Sequence, residues 1–282
     1  MSEGAGLQKQ EKDLSYKLDK LKNILKKYKK ILIAYSGGVD STFLLKVATD
    51  TLGKKNVITS TAISQTYPKD DLSCAKKNIK KFGIKKFLIK TNEMKNKKFV
   101  KNNPDRCYWC KNELFGRLTE LAKKYKIKII CDGTNYSDRD DYRPGMKAAK
   151  KWNIKHPLLE SELSKNDIRL LSKKLSLTTW NKDASPCLAS RFPYGHKITP
   201  DKLKKISGAE NELKKLQLKN LRLRDYQDTA RIEIDINQLS RILKNNIHKK
   251  IVAVLKKYNY TYITLDLEGY RTGSLNKIIK GI

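Results

Sequence analysis

Seven consecutive residues, Ser36-Gly37-Gly38-Val39-Asp40-Ser41-Thr42, bring hydroxyls, a carboxylate and two glycines into one turn. The glycines let backbone N–H groups approach an anion with no Cβ in the way. A helix that starts within such a turn adds the positive end of its dipole, which favours phosphate. Ser36, Ser41 and Thr42 supply hydroxyl donors, and Asp40 can orient a donor or hold a metal ion. An ordinary strand-to-helix turn needs only one capping Asp or Ser, and this segment carries more than that. It is not a Walker A loop, because no Gly-Lys-Ser or Gly-Lys-Thr ending occurs anywhere in the chain.

Cysteines form the second set. There are five, Cys74, Cys107, Cys110, Cys131 and Cys187, an odd number in a chain whose polar, charged N-terminus has no secretory pattern. That argues against a disulfide framework. Cys107-Tyr108-Trp109-Cys110 is a Cys-x-x-Cys expected just before a helix. It suits half a zinc site, a redox pair, or two ligands of an iron–sulfur cluster. Zinc lacks a second pair, since the three histidines, His156, His196 and His248, are scattered. Cys187, in a segment without apolar periodicity, makes a set of three thiols that could hold a cubane cluster and leave its fourth iron open. Cys131 and Cys74 read as structural.

Two charged segments complete the chemistry. Asp132-Gly133-Thr134-Asn135 follows an expected strand and offers a carboxylate, a hydroxyl and an amide. Asp138-Arg139-Asp140-Asp141-Tyr142-Arg143-Pro144-Gly145 suits a lid over a magnesium–phosphate group, with Arg143 presenting a planar fork. A solvated turn is the plainer reading of each.

The elements that must position these groups follow from periodicity. Residues 1–10 read as a loose tail, and Leu14, Leu18, Leu21, Ile24, Leu25 and Tyr28 mark a helix from Glu11. Strands are expected at 31–35, 56–63, 86–90, 126–131 and 153–160, with helices from Asp40, from Lys69, over 112–125 and after Ser164. Such alternation predicts a parallel α/β sheet whose ligand lies at the carboxyl ends of the strands. That gathers Ser36–Asp40, Ser60–Ile63, Thr91-Asn92 and Asp132–Asn135 around one crevice. Periodicity fails over 178–199, where a long unpatterned segment suggests function. A helix over 201–216, a hairpin of 220–224 and 229–236, a helix over 239–258 and a strand at 261–267 then predict a small α+β domain. The expected division is 1–185 and 186–282.

The 282 residues carry a net charge of +33 and are 39% hydrophobic, enough for a core. Such a charge suits a nucleic-acid or other polyanion partner, but lysines spread evenly along the chain account for most of it and no dense arginine cluster with interleaved aromatics occurs, so a lysine-rich chain is the preferred reading. No run of eighteen apolar residues occurs, which predicts a cytoplasmic chain without a membrane span.

The Ser-Gly-Gly-Val-Asp-Ser loop resembles that of the PP-loop ATP pyrophosphatases, with an adenine nucleotide alpha hydrolase-like sheet. With Asp141–Gly145, Trp180-Asn181-Lys182, Ser185–Gly195, Arg222-Leu223-Arg224 and Ala230–Glu233, the chain resembles the ATP-dependent sacrificial sulfur transferases (LarE) from about Leu14 to Asn276. The resemblance implies that ATP and Mg²⁺ adenylate a carboxylate of a pyridinium-3,5-dicarboxylate mononucleotide, and that a sulfur nucleophile displaces AMP to leave a thiocarboxylate, in nickel-pincer cofactor synthesis. It implies ATP contacts at Ala34, Ser36, Gly37, Gly38, Asp40, Ser41, Thr42, Asp132, Gly133 and Thr134, with Asp40, Arg143 and Cys187 catalytic. Arg222 and Arg224, with Arg191 or Arg231, would bind the substrate phosphate. Members with one active cysteine surrender its sulfur. This chain, with Cys107 and Cys110 as well, resembles the branch in which three cysteines hold a [4Fe-4S] cluster carrying a sulfide from some sulfur donor. A homo-oligomer, a hexamer built from trimers, is also implied. A tRNA thiolase and a non-catalytic nucleotide or sulfide carrier are the competing classes.

Overall fold

The computed structural model describes residues 2–139, 143–183, 185–244, 246–271 and 273–278. In chain order the elements are α1 (Ser2–Tyr28), β1 (Ile31–Ala34), α2 (Val39–Leu52), β2 (Val57–Ile63), α3 (Lys69–Phe82), β3 (Lys85–Lys90), α4 (Lys97–Val100), α5 (Arg106–Lys124), β4 (Ile129–Cys131), α6 (Gly145–Lys151), α7 (Pro157–Glu160), α8 (Lys165–Lys174), α9 (Pro200–Lys214), β5 (Arg222–Tyr226), β6 (Thr229–Glu233), α10 (Leu239–Leu243), α11 (Ile247–Lys257) and β7 (Tyr262–Leu265). They form two compact units. The first takes Met1–Ser64, Lys69–Asn92 and Cys107–Ser185; the second takes Gln65–Pro68, Glu93–Arg106 and Pro186–Ile282.

The first unit is a four-stranded, all-parallel sheet in the order β3-β2-β1-β4. Strand β1 is wholly apolar, as an interior parallel strand covered on both faces must be. Ile31 and Ile33 pack with Leu21, Leu25, Phe43, Leu44, Ala75 and Ile168 on one face. Leu32 packs with Ile58, Phe115, Leu118, Ile130 and Ala148 on the other. Burying these side chains at about 1.5–3 kcal/mol each fixes which faces of α2 and α5 turn inward. The chain leaves β1 directly into Ser36-Gly37-Gly38, so the loop sits at the carboxyl edge of the sheet, as alternation predicted.

The second unit holds a three-stranded sheet, β5-β6-β7. β5 and β6 form the expected antiparallel hairpin, and β7 adds parallel to β6. Its core includes Phe192, Leu203, Ile206, Leu223, Ile232, Leu255 and Tyr260. Among the described residues no helix is long and apolar enough to cross a membrane.

Four expectations are corrected. α1 begins at Ser2 rather than Glu11; good helix formers such as Leu7, Gln8, Lys9, Gln10 and Glu11 extend it without an apolar stripe to signal them. α5 begins at Arg106, so Cys107 and Cys110 lie in its first turn instead of before it. Residues 153–160 form no fifth strand: Lys155 makes a single bridge to Cys131, and Pro157, which lacks the N–H a strand would use, opens α7. The helix expected over 239–258 is two, and Asn246, in the left-handed conformation at φ 55, precedes the second.

Candidate active site

The loop after β1 is shaped by its two glycines in different ways. Gly37 has φ +69, and a Cβ there would lie 2.6 Å from the Cβ of Ala75 on α3. Both conformation and crowding demand glycine. Gly38 has an ordinary φ of −81 and caps α2 without a side chain. A Cβ on it would meet only the Ser36 hydroxyl, at 3.4 Å. The first N–H groups of α2 are therefore covered by no capping side chain, an anion-binding arrangement. Ser36 and Ser41 share a hydroxyl–hydroxyl bond of 3.0 Å across the turn. Thr42 is placed differently from expectation. Its hydroxyl meets that of Tyr35 at 3.1 Å in the core, and it lines a separate cavity of about 320 Å³ with Lys46, Thr49 and Asn78. Ala34, half-buried, lies opposite Ser60.

The segment after β4 is packed onto this loop. A Cβ on Gly133 would lie 2.9 Å from the Ser41 nitrogen and 3.2 Å from its Cα, so only glycine allows the approach. Asn135 reaches Asp40, its Nδ2 donating to Oδ1 at 3.4 Å. Lys165, at the start of α8, donates to the other Asp40 oxygen at 2.6 Å. Asp132 accepts from the Thr134 N–H at 3.1 Å and is 2.7 Å from Nδ1 of His156 and 3.7 Å from Nζ of Lys111. Burial alone would raise the Asp132 carboxyl, but His156 and the Lys111 charge hold it well below the usual carboxylate range. Arg143 pairs with Asp138 at 2.6 Å. Burial raises the Asp138 carboxyl even so, with the Asp40 charge adding to the effect. Asp140, Asp141 and Tyr142 of the expected lid lie outside the described residues.

Lys182 completes this side. Its ammonium donates to the Gly37 carbonyl at 3.2 Å and pairs with Asp71, in the first turn of α3, at 3.0 Å.

Cys107 is exposed and Cys110 half-buried, three residues apart in the first turn of α5 and hence on one face. Gly145 packs onto this turn: its Cβ would lie 3.1 Å from Cγ of Lys111 and 3.7 Å from the Cys107 carbonyl. Lys111 in turn faces Asp132, so the cysteine pair stands on the same rim as the loop. Cys187, half-buried, belongs to the second unit and precedes a short 3-10 turn, Leu188–Arg191. Cys131 is fully buried, its thiol pushed up first by burial and then by Asp132. Cys74 accepts weakly from Asn78 at 3.6 Å. Among the described residues no three of His, Cys, Asp and Glu gather into a metal-holding group.

The arginines of the second unit are each held within it. Arg191 is bound twice by buried Glu210, at 2.8 and 3.0 Å, and donates to the Pro186 carbonyl and the Ser190 hydroxyl, each at 3.0 Å. Arg224 is bound twice by buried Glu233, at 3.0 and 2.6 Å, and also donates to the Ser190 carbonyl and the Ser274 hydroxyl. Both guanidinium groups help to hold this unit together through buried carboxylates, and breaking either pair would be costly; their expected part in binding the substrate phosphate is carried forward as a proposal. Arg222 stacks on Tyr270 at 5.0 Å and donates to the Leu221 carbonyl; burial, then the charge of Arg191, lowers its pKa.

Sequence reasoning had Asn135 at the crevice and Lys182 only within a motif of the resemblance, and it missed Lys111, His156 and Lys165 as site residues. Lys111 lies in α5 and Lys165 opens α8, with no pattern that marks either for the site. Frequent lysines along the chain gave Lys111, Lys165 and Lys182 no contrast.

Comparison with known proteins bears on this geometry. The family model described as NAD synthase matches residues 11–117, from α1 into α5. An uncharacterised protein of Synechocystis sp. is 40% identical over 266 residues, 94% of this chain and 99% of that protein. The pyridinium-3,5-bisthiocarboxylic acid mononucleotide synthase of Lactiplantibacillus plantarum is 33% identical over 252 residues, 89% of this chain and 91% of that protein. An uncharacterised protein of Methanocaldococcus jannaschii is 37% identical over 262 residues, 91% of this chain and 98% of that protein.

Proposed function

Because the chain belongs to the family of the pyridinium-3,5-bisthiocarboxylic acid mononucleotide synthase, we propose that it is an ATP-dependent sulfur transferase acting on the carboxylates of a pyridinium-3,5-dicarboxylate mononucleotide. The observation that carries the ATP half is the glycine-capped start of α2, with Asp40 one residue inside it, at the carboxyl edge of a parallel sheet. A triphosphate seated there meets the uncapped N–H groups of α2 and the Ser36 and Ser41 hydroxyls. Asp40, now paired with Lys165, would hold Mg²⁺, which when bound would neutralise phosphate charge, and Arg143, now paired with Asp138, would add its own positive charge there. A carboxylate is a poor electrophile; bonded to the α-phosphorus of ATP its oxygen becomes part of a good leaving group. A sulfur nucleophile then displaces AMP and leaves a thiocarboxylate.

The two thiols on the first turn of α5 fit two ligand positions of an iron–sulfur cluster: they share a face, and Cys107 is solvent-accessible. In this reading Cys107, Cys110 and Cys187 would hold a [4Fe-4S] cluster, whose chemistry when bound is to present an inorganic sulfide at its open iron. Lys111, next to Cys110, keeps a positive charge beside that rim. Cys187 giving up its own sulfur, as in family members with one active cysteine, is the alternative.

The test is pyrophosphate release with ATP and the dicarboxylate nucleotide together. Release that needs both, and that Gly38→Val abolishes by filling the open end of α2, is expected. Wild-type release by Gly38→Val would remove the phosphate cradle from the account.

A further inference from the structure

Adenylation expels pyrophosphate, a multiply charged leaving group, yet this loop contains no lysine of its own. Among the described residues two ammonium groups stand against it. Lys165 is on the Asp40 carboxylate at 2.6 Å. Lys182 is on the Gly37 carbonyl, in the turn itself, at 3.2 Å. The two are not equivalent. Lys165 neutralises the acid that would take the metal. Lys182 reaches the loop's backbone from outside, and its other contact, Asp71, is near the N-terminal end of α3.

The plainer role for Lys182 is to pin residues 178–183 to α3. That segment is already held by another route. Arg169 on α8 donates from Nη1 to the Trp180 carbonyl at 3.2 Å and from Nη2 to the Lys182 carbonyl at 3.0 Å. Trp180 also stacks under Lys173, 5.1 Å from the ring centre. The backbone of Lys182 is therefore fixed without its side chain, while its ammonium is aimed at the one turn where phosphate would lie.

Resting on the ATP-binding reading above, we propose that Lys182 is a catalytic residue that stabilises the departing pyrophosphate, supplying from a distant segment the cation that the loop lacks. In the step, a lone pair on the substrate carboxylate oxygen forms the bond to the α-phosphorus. The bond from that phosphorus to the bridging oxygen breaks, and its electron pair leaves with pyrophosphate. Lys182 stays protonated throughout. It moves from the Gly37 carbonyl to the β- and γ-phosphate oxygens, a charge-assisted contact that strengthens as charge gathers there.

The test uses the full chain with Mg²⁺ and three probes: ATP, AMP and inorganic pyrophosphate. Lys182→Gln should weaken ATP and pyrophosphate binding roughly 10- to 100-fold, the range for losing a hydrogen bond to a charged group. AMP, which lacks the phosphates concerned, should bind as in wild type. The kcat for pyrophosphate release should fall with the KM for the dicarboxylate nucleotide unchanged, and Lys182→Arg should recover part of it. Asp71→Asn, which frees the lysine without removing it, should keep ATP affinity. Equal ATP affinity and kcat in Lys182→Gln would overturn the proposal. So would Asp71→Asn weakening ATP as much as Lys182→Gln does, since the lysine would then act only through its tie to α3. If wild type binds neither ATP nor AMP, the ATP reading falls and takes this one with it.

Discussion

Asp40 meets Lys165, which lies 125 positions further along the chain, and the pair fixes the acid in the first turn of α2. Removing the acid removes the metal handle, so Asp40→Ala should abolish AMP and pyrophosphate formation while circular dichroism stays native. Arg191 belongs to a different class. Its loss leaves Glu210 buried without its bidentate partner, and Arg191→Ala should destabilise the fold by about 3–5 kcal/mol in denaturant titration. A variant that keeps its stability and loses only substrate affinity would instead favour the phosphate role for Arg191. Asp132 gives a pH signature. Its folded pKa is depressed, so its stabilisation is present above the ordinary carboxylate value, near about pH 4, and is lost as pH falls towards the folded value. Asp132→Asn should therefore melt lower than wild type at neutral pH, with the gap closing in acid. A gap independent of pH would show that the carboxylate charge does not matter there.

Elements explain how much of this was legible. The run from Ile31 to Thr42 could be read because its pattern changes from continuous apolar to Gly-Gly to helical periodicity within a dozen residues. The parallel sheet, and the position of the loop at its carboxyl edge, followed from alternation of strands and helices, whereas the strand order did not. What could not be read was packing over distance. Nothing in Asp132-Gly133-Thr134 announces that Gly133 lies against Ser41, because the contact is made only when β4 pairs beside β1. Gly133→Ala should force the two segments apart, destabilise by about 1–3 kcal/mol and depress pyrophosphate release. Normal kinetics and stability in this variant would contradict the packing. The Cys-x-x-Cys was legible as a motif but not as part of a helix, because Tyr108 and Trp109 break any clear apolar stripe. Likewise the segments 65–68 and 93–106 join the second unit with no compositional mark.

At the scale of the whole molecule, the net charge of +33 and the family point to different partners. The even spread of lysine and the match to a mononucleotide synthase favour a small anionic substrate over RNA. Bulk tRNA at physiological salt should give no discrete shifted species in a gel, since nonspecific lysine–phosphate contacts weaken steeply with salt. A salt-resistant complex would favour tRNA thiolation. The hexameric assembly implied by the resemblance should appear in light scattering, and a strict monomer would refute it. The most direct test of sulfur transfer is mass spectrometry, on anaerobic turnover with ATP, of both the nucleotide product and the intact chain. The account predicts a nucleotide in which sulfur has replaced a carboxylate oxygen, formed only with ATP, and a chain of unchanged mass. A chain lighter by one sulfur per thiocarboxylate would make Cys187 the donor. Pyrophosphate release with an unaltered nucleotide would contradict sulfur transfer itself.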